Sequence, residues 1–198
     1  MAKPRIGILI GTTRPARFGD RPAQWLLDLA QERTDAEFEI VDLRDYPMPL
    51  FEAAASPRFV PVSDPVAIRF VEKLASLDGV VFITAEYNHA VAGALKNALD
   101  YVYDELARKP AAFLGYGAVG GARAVEHLRL ICVELSMAPT KTAVHIAMEP
   151  FLGLIRDGKT FADYPYLADG AKAMLDELVW WTLTLRAGRE TAAVAAAA

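Results

Sequence analysis

Arg5-Ile6-Gly7-Ile8-Leu9-Ile10-Gly11-Thr12-Thr13-Arg14-Pro15-Ala16-Arg17-Phe18-Gly19 passes from an apolar run into a polar, arginine-bearing loop. A helical pattern follows over residues 21–33, with Ala23, Leu26, Leu27 and Ala30 on one face. A short, almost wholly apolar strand is the mark of a parallel sheet covered on both sides. The same unit recurs. Further strands are expected at 38–43, 79–84, 110–116 and 140–146, with helices near 64–77, 93–106, 123–137 and 168–189. Asp64 before Pro65 has the pattern of a helix cap followed by a first-turn proline. Residues 45–64 read as a long surface excursion, and 191–198 as a low-complexity, frayed tail. Strands alternating with helices imply one doubly wound α/β domain, residues 1–190. Ligands of such sheets lie beyond the carboxyl ends of the strands.

The bulk properties narrow the function. A chain of 198 residues with 54% hydrophobic and 23% charged residues is that of a globular domain. A net charge of -4 gives no electrostatic case for nucleic acid or an anionic membrane. No apolar run approaches the roughly 18 residues that would span a bilayer. Cys132 is the single cysteine, so no internal disulfide forms, which favours the cytoplasm. It falls on the apolar face of a helix, away from any phosphate loop, which argues against a cysteine-dependent phosphatase. His89, His127 and His145 are scattered without metal-ligand spacing, so no metal is expected.

The first loop can bind an anion, because it joins a buried strand to a helix whose first N–H groups lack partners. Two hydroxyls and two arginines add donors and charge. The loop lacks both the GK[ST] ending of a triphosphate loop and the three-glycine dinucleotide fingerprint. After the third strand comes Thr84-Ala85-Glu86-Tyr87-Asn88-His89, then Gly93-Ala94-Leu95-Lys96-Asn97-Ala98-Leu99-Asp100. This string resembles the PEYN…G-x-LKNAxD signature of the NADPH-dependent FMN reductases, which include quinone, chromate and azo-dye reductases. The first loop resembles that family's GSxR phosphate loop. Residues 117–123, Gly117-Ala118-Val119-Gly120-Gly121-Ala122-Arg123, resemble its glycine loop, and His127-Leu128-Arg129 its HLR. The resemblance covers residues 5–146. Ala85 stands where the family has proline, Thr12 where it has serine, and Arg17 where many members have serine.

The resemblance implies a flavodoxin-like three-layer sandwich with a five-stranded parallel sheet. It implies FMN as cofactor, with Thr12, Arg14, Arg17 and Gly19 at the phosphate, Glu86, Tyr87 and Asn88 along the ring, and Gly117 and Gly120 closing the other side. It also implies NADPH or NADH as co-substrate and a small-molecule acceptor such as a quinone or free flavin. No catalytic side chain is named, because the flavin carries the chemistry. Ping-pong turnover is expected, since 198 residues hold no second nucleotide-binding fold. A homodimer or homotetramer is expected through residues 93–106 or 123–137, whose Lys96, Asn97, Asp100, Arg123 and Glu126 are polar. Read from the residues alone, Glu86 is equally an exposed carboxylate, Tyr87 a packed aromatic and Asn88 a turn residue. Two rival functions are a flavodoxin-type electron carrier and a flavin-free regulatory protein.

Overall fold

Five strands form one parallel sheet, and the three at its centre are almost wholly buried apolar runs. A computed structural model describes residues 2–197. The strands are β1 (Arg5–Ile10), β2 (Glu37–Asp42), β3 (Gly79–Tyr87), β4 (Ala90–Val91), β5 (Pro110–Tyr116) and β6 (Ala138–Ile146). The helices are α1 (Asp20–Gln31), α2 (Pro65–Ala75), α3 (Gly93–Asp100), α4 (Ala122–Glu134), α5 (Met148–Ile155) and α6 (Pro165–Ala197). The sheet order is β2-β1-β3-β5-β6, all parallel, and the two-residue β4 pairs antiparallel with the end of β3. Strand order reverses at β1, so the loops after β1, β3 and β5 converge at one end of the sheet.

Side-chain alternation along the strands divides the core in two. Ile6, Ile8, Ile10, Val81 and Ile83 pack with Leu26 of α1 and Met174 and Leu178 of α6. Leu9, Val80, Phe82 and Phe113 pack on the opposite face with Phe70 of α2, Leu95 of α3, and Leu128 and Cys132 of α4. Asp64 caps α2 through the N–H groups of Val66 and Ala67, with Pro65 at the first position, as its pattern predicts.

Several boundaries differ from the sequence expectation, and β3 runs to Tyr87, three residues past its expected end. The helix from Gly93 stops at Asp100 and leaves a separate 3₁₀ turn at Asp104–Leu106. The helix expected to reach residue 137 ends at Glu134, where Ser136 takes a φ of +56° and the Met137 N–H meets the Cys132 carbonyl at 2.8 Å. A residue other than glycine makes that left-handed stop, so composition does not announce it. Helix α5 is unforeseen. The last helix starts at Pro165 and continues through Ala197, across the segment expected to fray.

Candidate functional site

The β1–α1 loop is built on buried Thr12, whose Oγ1 lies 3.1 Å from the Tyr116 hydroxyl at the end of β5. Burial pushes the Tyr116 pKa up to about 12, against a small opposing pull from its bond to Thr12, so it stays a neutral phenol. Two hydroxyls carry two O–H donors and their mutual bond uses one, which leaves one donor available. A Cβ on Gly19 would lie 3.1 Å from both the Tyr116 hydroxyl and Ile10 Cγ2. Gly19 therefore supplies room for this packing.

Arg14 and Arg17 part company. Among the described residues Arg14 pairs with no carboxylate, and its guanidinium lies 5.7 Å from the centre of the Tyr87 ring. Arg17 is placed differently from the sequence expectation. Its side chain is wholly buried between Asp20 and Asp42. Its Nε donates to Asp20 Oδ1 at 2.9 Å, Nη1 to Asp42 Oδ1 at 2.7 Å and to the Thr12 carbonyl, and Nη2 to both carboxylates. A guanidinium has five N–H groups, and here each meets a protein oxygen. None is left for a phosphate. Burial opposes its charge, but the hydrogen bonds it donates to Asp42 and Asp20 outweigh that and raise the Arg17 pKa.

The β3–β4 connection is a two-residue hairpin turn. Asn88 and His89 both have left-handed φ, +49° and +67°, between the paired Tyr87 and Ala90. That geometry suits Asn and belongs to the tight turns that match sheet twist. Glu86 is turned inward, almost fully covered. Its Oε2 accepts from the Arg123 backbone N–H at 3.1 Å and its Oε1 from Arg123 Nε at 2.6 Å. Arg123 Nη1 also contacts His89 Nε2 at 2.7 Å. Burial raises the Glu86 pKa, but the Arg123 bonds outweigh it and hold the carboxyl below its usual range. The carboxylate thus clasps the β3–β4 hairpin to the first turn of α4.

Gly117, Gly120 and Gly121 all have positive φ, so the β5–α4 loop takes a path that side-chain-bearing residues resist. A Cβ on Gly120 would lie 2.8 Å from His145 Cβ. Gly117 faces open space, with Glu86 Cβ 3.9 Å from where a Cβ would stand. Arg14, Tyr87, Tyr116, Gly117 and Phe151 line a cleft of about 520 Å³. The α5 helix supplies Phe151, which packs edge-on against Phe18 with ring centres 5.0 Å apart.

A flavin mononucleotide fits these residues on three counts. Arg14 is a cation without a carboxylate partner among the described residues. Among the described residues, Arg17 has the one backbone N–H between Thr12 and Phe18 that meets a protein acceptor, the Arg14 carbonyl at 3.1 Å. The cleft beside that loop has aromatic walls and a glycine opening. The model of the NADPH-dependent FMN reductase family matches residues 4–150.

The chain belongs to that family. The family's members are oxidoreductases, and their cofactor and electron donor are FMN and NADPH. An NAD(P)H-dependent FMN reductase of a Nectria species is 32% identical over 153 residues, covering 72% of this chain and 76% of the relative. The quinone reductase of Escherichia coli K12 is 31% identical over 139 residues, covering 67% and 71%. A solved structure of FerB, an NAD(P)H:acceptor flavoenzyme from Paracoccus denitrificans, superposes with a TM-score of 0.68 at 20% identity, over 88% of this chain and 97% of that one. At that identity the likeness speaks for the fold alone.

Sequence reasoning missed Tyr116, Phe151 and the pairing of Glu86 with Arg123. Tyr116 directly precedes the glycine loop, a position that could have marked it. Phe151 lies on the unforeseen helix, and nothing in the spacing of Glu86 and Arg123 signals their contact.

Proposed function

We propose that this chain transfers electrons from NADPH or NADH to a small planar acceptor, a quinone or a free flavin, through FMN seated at the ends of β1, β3 and β5. The observation that carries this is the unpaired Arg14 beside a loop of free N–H groups, at the mouth of the aromatic cleft. Bound there, FMN supplies two-electron acceptance and release. The chain's own residues do the rest. Arg14, the Thr12–Tyr116 hydroxyl pair and the loop N–H groups hold the phosphate. Tyr87, Asn88, Gly117 and Gly120 border the ring, and Gly117 leaves open space beside it. Thr12, Gly19 and Glu86 shape the site rather than react. No side chain is assigned a proton transfer.

A single open site receives its two co-substrates in turn, which is a ping-pong scheme. A 2-hydroxy-1,4-benzoquinone reductase of a Burkholderia species, 33% identical over 140 residues, supports the quinone class. No helix among the described residues is long and apolar enough to cross a membrane. With a lone, buried thiol, this supports a cytoplasmic enzyme. Initial rates with NADPH and a benzoquinone test the scheme. Double-reciprocal plots at several fixed quinone concentrations should be parallel. Intersecting lines would require both co-substrates on the protein together, and an absolute need for a partner protein would make it an electron carrier.

A further inference from the structure

Two arginines grip the backbone of the β1–α1 loop from below. Arg17 holds the Thr12 carbonyl. Arg44, from the turn after β2, donates through Nη2 to the Arg14 carbonyl at 2.7 Å and the Pro15 carbonyl at 3.2 Å. Both are anchored to the same two carboxylates. Asp42 ties to Arg17 and accepts from the Arg44 N–H at 2.9 Å, while Asp20 ties to Arg17 and lies 3.6 Å from Arg44 Nη1. Peptide planes here are trans, so a carbonyl held on one side places the next N–H on the other. Fixing the carbonyls of Thr12 and Pro15 therefore aims the N–H groups of Thr13 and Ala16 away from the arginines.

We propose that Arg17, Arg44, Asp20 and Asp42 form a brace that pre-sets this loop to receive the flavin phosphate, with Asp42 and Asp20 as positioning residues that never touch it. The proposal rests on the reading of this loop as the phosphate site. Two arginines against two aspartates sum to no net charge, so the brace acts through geometry and leaves Arg14 as the loop's free cation. This sets a sign that electrostatics alone would reverse. Neutralising an aspartate beside a phosphate site removes a repelling charge and should tighten phosphate binding. If the brace orders the loop, the same change loosens it.

The test is titration of the full-length, flavin-free chain with FMN and with riboflavin, which lacks the phosphate, followed by flavin fluorescence. Asp42→Asn is the direct variant. Asp20→Asn, whose side chain is half exposed, guards against misfolding of the first. Each should bind FMN roughly tenfold more weakly, the effect of one lost charge-assisted contact, and riboflavin unchanged. FMN binding that is unchanged or tighter overturns the brace, and so does a parallel loss for both flavins. A wild-type chain that binds riboflavin as tightly as FMN overturns the phosphate reading itself, and the brace with it.

Discussion

Arg14 and Arg17 are three residues apart, equal in charge and opposite in circumstance. Arg14 has no carboxylate partner among the described residues, whereas Arg17 is enclosed by Asp20 and Asp42. Arg14→Ala should therefore weaken FMN binding by about 1.5–3 kcal/mol, the worth of a hydrogen bond to a charged group. Fluorescence titration measures it, and unchanged affinity would remove Arg14 from the site. Cys132 is fully buried, and burial pushes its thiol up to about 12. Cys132→Ala should leave turnover intact, and lost activity in a folded variant would point to a thiol step. The candidacy of Arg14 rests on a pattern visible in the sequence, because a strand-to-helix loop carrying an arginine suits a phosphate. That of Arg17 could not, because its decisive partner Asp42 is 25 positions away on another strand.

Between elements, the Glu86–Arg123 clasp joins the β3–β4 hairpin to the first turn of α4. Glu86→Ala should destabilise the fold by about 1.5–3 kcal/mol, by leaving the Arg123 N–H without its acceptor and the guanidinium without its counter-ion. The pH dependence has a definite sign. The Glu86 carboxyl is held below its usual range, so its contribution is complete at neutral pH and fades as pH falls through that lowered value. Thermal unfolding should show wild type more stable than Glu86→Gln at pH 7, with the gap closing in acid. A gap constant with pH would mean that the clasp does not depend on the charge of Glu86. The central strands β1, β3 and β5 were legible because each is an apolar run buried on both faces, whereas the edge strands β2 and β6 carry charged residues and stay partly exposed. Helix α5 was not. It is one short stretch, Met148–Ile155, with Pro150 in its first turn, and tertiary packing of Phe151 against Phe18 and of Leu154 in the core accounts for its place.

At the scale of the whole molecule, the parallel sheet brings to one end three loops that follow Ile10, Tyr87 and Tyr116. The alternation of strands and helices was enough to point to these loops, because parallel strands all end at the same edge of the sheet. What the outer faces meet is a separate matter. Leu130 and Val133 are exposed on α4. We expect them, with α3, to bury against a second copy of the chain. Light scattering should give a dimer or tetramer for wild type and a smaller particle for the pair of changes Leu130→Asp and Val133→Asp. The proposed function requires the cleft at the strand ends to hold FMN that NAD(P)H can reduce. The most direct measurement is the visible spectrum of the purified full-length chain, with FMN restored if needed, before and after NADPH is added without air. The structure predicts a yellow protein with bound oxidised flavin, equimolar with the chain, whose absorbance bleaches on NADPH and returns with a quinone. A chain that stays colourless in excess FMN, or a bound flavin that neither NADPH nor NADH bleaches, would contradict it.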